Sequence, residues 1–178
     1  MAVEGASAGA VARGRLAVLP VPWPVLAVAG VMVVGLLAVA GRYGFHGDEM
    51  YFVVAGRHAA LGYVDQPPLT PLLSAASAAL LGVSPTAVRL LPALEMGAVV
   101  LIVALVAQDL GGSRRAQVIA AVVAGLSGYL GAGHLDTTTE PDLLAWAIVV
   151  WLLVRLLAVC AGIRMPWPEM WSALRTIS

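Results

Sequence analysis

Three short acidic stretches hold the residues best able to do chemistry. His46-Gly47-Asp48-Glu49 places two adjacent carboxylates just after a long uncharged run. A carboxylate at a membrane surface can accept a proton from an incoming hydroxyl, because partial desolvation raises its basicity. The same residues also read as a helix start, where free amides and the helix dipole favour acids. Both roles fit if one carboxylate caps and its neighbour reacts. The second stretch, Tyr63-Val64-Asp65-Gln66-Pro67-Pro68, sets an acid before a stiff diproline entry into a helix, and it also reads as an ordinary turn. The third runs from Gly133 to Asp142 and carries Asp136, Glu140 and Asp142. Thr139 as N-cap, followed by Glu140, Pro141 and Asp142, suits a helix start, yet ionisable groups near membrane depth are costly unless paired or used.

Other polar residues are more isolated. His46, His58 and His134 are each alone in sequence, and a lone histidine is more often hydrogen-bonded than metal-bound. His46 and His134 both fall near acids, so a divalent cation held by one histidine and one or two carboxylates is a candidate arrangement. Arg89 precedes Glu95 by six residues with Pro92 between, which is poor spacing for a pair along one helix. Near the end of its span, Arg89 is a candidate phosphate contact, with snorkelling to the interface as the plainer role. Glu95 lies about 13 Å into the same span at 1.5 Å per residue, deep enough to need a partner.

The elements that position these groups are set by composition. Of 178 residues, 61% are hydrophobic and 11% charged, against about a quarter charged in a soluble domain. This is a membrane protein's composition. Ten arginines, no lysine and ten acids give zero net charge, so no basic surface recommends a nucleic-acid partner. One cysteine, Cys160, excludes an intramolecular disulfide and a cysteine-based zinc cluster.

Hydropathy predicts an all-α, multi-pass transmembrane bundle of about four spans, near 25–41, 86–108, 116–135 and 142–163. The first uncharged run, Leu16 to Gly41, exceeds the usual signal-peptide core, so Ala38-Val39-Ala40 reads as part of a retained anchor rather than a cleavage site. Arg13, Arg15, Arg114, Arg115, Arg164 and Arg175 flank the spans on one side, which the positive-inside rule makes cytoplasmic, with residues 1–15 as a cytoplasmic tail. The extracytoplasmic loop 42–85 is too apolar for a solvated loop. Met50, Val53, Val54 and Leu61 recur at helical spacing, and Leu69 to Leu81 is uncharged but too short to span, so both read as interfacial helices. Seven of the ten acids fall on this outer side or just beneath it. Residues 164–178 lose the apolar character.

An Asp-Glu pair after the first span, an Asp-x-Pro-Pro segment some seventeen residues later, a Val-Arg-Leu-Leu-Pro helix start and an acid-bearing third connection, in that order, resemble one family. They are similar to the N-terminal part of the GT-C glycosyltransferases, of the protein O-mannosyltransferase and aminoarabinose-transferase-like group (glycosyltransferase family 39). The resemblance covers roughly Tyr43 to Leu157. It implies a plasma-membrane enzyme that moves a sugar from a polyprenyl-phosphate donor to a glycan, lipid or protein acceptor outside the cytoplasm, with inversion. Asp48 matches the catalytic first-loop aspartate and Glu49 its neighbour. Asp65 matches an acid that helps bind a metal in aminoarabinose-transferase-like members, with His134 as a second candidate ligand. Gln66 stands where those members carry a lysine near the lipid phosphate, and Asp142 matches an acid facing the same cavity. His46 and Arg89 complete the candidate substrate contacts. Members of the family are several times longer, so the chain is expected to be their N-terminal part. The competing readings are a noncatalytic membrane protein and a small transporter with Glu95, Asp142 and Arg155 along a polar path.

Overall fold

The computed structural model describes residues 21–127 and 132–160. Among these the chain is helical and has no strand: α1 (Trp23–Ala40), α2 (Gly47–Gly56), α3 (Leu69–Leu81), α4 (Pro85–Asp109), α5 (Arg114–Gly125), a 3₁₀ turn at Ala132–His134, and α6 (Thr139–Cys160). The helical membrane bundle read from hydropathy is present. The tail 1–15, the first residues of the uncharged run, and the tail 164–178 lie outside the described residues.

Local sequence explains most of the boundaries. Prolines open α1 and α4 in their first turns, where the missing N–H would lack a helical partner anyway. Ser84 caps α4 by accepting from the Ala87 amide at 3.2 Å. Pro67-Pro68 delays α3 to Leu69, and Gly82, at φ +86°, ends it in a conformation that side chains resist. The predicted Leu69 to Leu81 helix therefore appears with its boundaries unchanged. By contrast α2 stops at Gly56, short of Leu61, because it packs across α3 there. A Cβ on Gly56 would lie 2.2 Å from the Pro71 carbonyl oxygen and 2.6 Å from the Ala75 Cβ. Gly56→Ala is expected to destabilise the protein by about 1–3 kcal/mol through overpacking, read as a lower unfolding temperature in detergent. An unchanged temperature would mean that α2 and α3 are not in this contact.

Three helices, α1, α4 and α6, are long and apolar enough to cross a membrane. The most apolar window of α4 is 44% buried, against 17% for α1 and 6% for α6, so α4 is the axis of the bundle. α1 runs antiparallel to it and α6 parallel. Val25, Ala29, Met96, Val99, Val100, Ala104 and Ala121 form the core between α1, α4 and α5. Small residues let the backbones approach, as membrane helices require: a Cβ on Gly97 would sit 2.6 Å from the Val33 Cγ2.

The expected span 116–135 is not one continuous helix among the described residues. α5 has 12 residues, about 18 Å of rise, and ends at Gly125, a weak helix former. Residues 128–131 lie outside the described set. Beyond them the 3₁₀ turn packs on α4 and α1, where a Cβ on Gly133 would lie 2.4 Å from the Met96 Cγ. At the Arg114 end, Asp109 accepts from the Trp151 indole at 2.8 Å and pairs with Arg155 at 3.6 Å, fastening α6 to α4.

Candidate active site at the acid-bearing end

The N-terminus of α2 orients two neighbouring carboxylates in opposite directions. His46 is its N-cap, and its Nδ1 accepts from the Asp48 amide at 3.4 Å. Glu49 Oε2 accepts from the His46 amide at 2.7 Å, completing a capping box. Successive helical residues point about 100° apart, so when Glu49 turns inward Asp48 faces out. Glu49 is wholly buried, whereas the Asp48 side chain is 62% exposed, 3.6 Å from His46.

Inside, Glu49 meets Arg89 from the second turn of α4. The pairing is bidentate: Arg89 Nε donates to Oε1 at 2.6 Å and Nη2 to Oε2 at 2.7 Å. Nη1 donates to the Ala40 and Tyr43 carbonyls, and Nη2 also to the Gly44 carbonyl at 2.8 Å. The Tyr43 ring covers the guanidinium at 4.2 Å. Arg89 is therefore fully enclosed, with its donors committed to the link between α1 and α2. This corrects the expectation that it contacts substrate phosphate or snorkels. Burial acts to raise the Glu49 carboxyl, but Arg89 and the amides of His46 and Asp136 outweigh it and hold the group below the ordinary carboxylate range.

Outside, Asp48 lines a cleft of about 420 Å³ with Tyr51, Phe52, Asp65, Gln66, Thr137 and Thr138. Two of the three acidic stretches thus meet with the third connection at one opening. Tyr51 donates to Asp65 Oδ1 at 2.8 Å, fixing that carboxylate opposite Asp48, and this bond to Asp65 is the main reason the Tyr51 phenol is raised. The Tyr63 hydroxyl donates to the Ala55 and His58 carbonyls and ties down the loop that carries Asp65. The lining offers carboxylates that accept from hydroxyls, Thr138 as a hydroxyl donor, an amide at Gln66 and aromatic edges. That is a surface suited to a polyol. Asp142 is exposed, and it is not among the residues lining the cleft. Tyr51 and the two threonines were not singled out in sequence. Tyr51 could have been, since it follows Asp48 by three residues on one helix.

The third connection also contributes a buried group. Asp136 donates its amide to Glu49 Oε1 at 3.2 Å, and the Ser74 hydroxyl on α3 donates to its Oδ2. Burial pushes the Asp136 carboxyl up to about 7; the Ser74 bond opposes this, and the charges of Glu140, Glu49 and Glu95 add to it. Glu95 and Glu140 are buried as well. Arg155 lies at the far end of α4 beside Asp109, so Glu95, Asp142 and Arg155 do not line one polar path. His134 presents its ring edge to Tyr43, 6.0 Å between centroids, while Asp65 faces the cleft. Among the described residues, no group of three His, Cys, Asp or Glu side chains is placed to hold a metal ion.

Comparison with known families matches residues 65–162 to dolichyl-phosphate-mannose-protein mannosyltransferase. Comparisons with curated proteins and with solved structures return no match.

Proposed function

We propose, since this chain belongs to the dolichyl-phosphate-mannose-protein mannosyltransferase family, that it forms a sugar-transfer site of that type at its acid-bearing end. The donor is a polyprenyl-phosphate sugar and the acceptor bears a hydroxyl. Asp48 takes the acceptor proton as general base while the acceptor oxygen attacks C1 of the sugar. The C1–O bond to phosphate breaks with inversion, and the polyprenyl phosphate leaves with the bonding electrons. Asp65, held by Tyr51, accepts from sugar or acceptor hydroxyls, and Gln66 and Thr138 donate to them. Glu49 and Arg89 do not touch substrate. They fix the helix start that carries Asp48. On this reading the acid-bearing end faces outward and the Arg114-Arg115 turn is cytoplasmic, as the positive-inside rule asks.

The observation that carries the reading is the convergence of Asp48 and Asp65 on one polar cleft. It is tested by purifying the chain into lipid nanodiscs and supplying a labelled polyprenyl-phosphate mannose with a serine- and threonine-rich peptide. Mannosylated peptide is the expected product. If donor is neither bound nor consumed, this chain is not by itself a transferase.

A further inference from the structure

We infer that Glu95, Asp136 and Glu140 form a buried proton-binding site, in which the three carboxyl groups share at least one proton in the folded state at neutral pH. The argument is a charge count in an enclosed space. Glu95 on α4, Asp136 on the connection and Glu140 on α6 are 8%, 4% and 0% exposed. The adjoining ionisable groups are Glu49 on α2, Arg89 on α4, and His134 and Tyr43 on the two links. The Arg89 charge is matched by Glu49, so the pair adds no net positive charge. α3 contributes the hydroxyls of Thr70 and Ser74, and no charge. Even a fully protonated His134 would leave two negative charges among the three carboxylates. Ionised groups in such surroundings are driven to neutralise.

A second observation points the same way. Glu140 Oε2 accepts from the amide and hydroxyl of Thr137, but its Oε1 is buried with no hydrogen-bond partner. A buried carboxylate oxygen with no donor is a place a proton fills, removing a charge that nothing there pairs. A metal ion is the other way to fill it, but among the described residues no group of three His, Cys, Asp or Glu side chains is placed to hold one. The site adjoins the cleft, since Thr137 is both bonded to Glu140 and part of the cleft wall. The inference does not rest on sugar transfer.

Linkage gives the sign. The Asp136 carboxyl ordinarily titrates near 3.8 and is raised to about 7, so its contribution to stability is complete below the lower value and is lost as pH climbs through the upper one. The test is infrared difference spectroscopy of the purified chain between about pH 6, where exposed carboxyls are ionised, and about pH 9. The carbonyl stretch of an un-ionised carboxylic acid is expected at the lower pH and should vanish at the higher. It should weaken in Glu95→Gln, Asp136→Asn and Glu140→Gln, each checked for helical circular dichroism. No such band in the wild-type chain, or one of equal strength in all three variants, overturns the site.

Discussion

Replacing Arg89 with methionine is expected to destabilise the protein by about 3–5 kcal/mol, the usual consequence of stranding one partner of a buried ion pair. Glu49 would stay wholly enclosed with its bidentate donor gone, and the carbonyls of Ala40, Tyr43 and Gly44 would lose theirs. The loss shows as an unfolding temperature in detergent lower by roughly 6–20 °C for a chain of this size. A second variant gives the interpretation. Arg89→Met combined with Glu49→Leu removes both charges, and it should recover a large part of the loss, because an apolar pair of similar volume is tolerated where a lone charge is not. If Arg89→Met alone changes stability by less than about 1 kcal/mol, the pair behaves as a solvated surface bridge and the clamp is rejected. Glu49 also sets a pH dependence. Its carboxyl is held below its ordinary 4.5, so its stabilising contribution is complete above that value and is lost as pH falls through the lowered one. That sign is opposite to the one at Asp136.

Asp48→Asn is expected to reduce sugar transfer by about 10²–10⁴-fold, the range a positioned general base contributes. Folding should be nearly untouched. The Asp48 side chain is mostly exposed, and the bond its residue makes to His46 comes from the backbone amide, which asparagine keeps. Losing a negative charge in the first turn of α2 should weaken the helix by no more than about 1 kcal/mol. Glu49→Gln should differ: activity and unfolding temperature fall together, because the inward carboxylate acts through the fold. Measuring transfer and thermal unfolding on both variants separates the two adjacent acids. A folded Asp48→Asn protein that transfers at the wild-type rate rejects Asp48 as the base.

Much of this architecture was readable along the chain. The Leu69–Leu81 helix lies between a diproline and a glycine, and local punctuation of that kind does not depend on distant residues. The long apolar helices α1, α4 and α6 follow from hydropathy, since twenty or so mostly apolar residues have few places to go except a membrane. Features that needed a partner far away in sequence were not readable. Gly56 has to be a glycine because Pro71 is behind it. Glu95 was deep enough to need company, but its neighbour Glu140 is 45 positions later, and it is another acid rather than a base. Arg89 looked available for phosphate until the α1–α2 link closed over it.

Composition and hydropathy determined that this chain is a helical membrane protein, because those properties are sums of local preferences, and the order of its acidic connections carried the resemblance to a sugar-transferring family. Tertiary structure alone decided what each acid does. Asp48 and Glu49 are adjacent and chemically alike. One of them faces a cleft and the other a guanidinium 40 residues away, because the fold brings Arg89 of α4 to one side of the α2 N-terminus and leaves the other side to solvent.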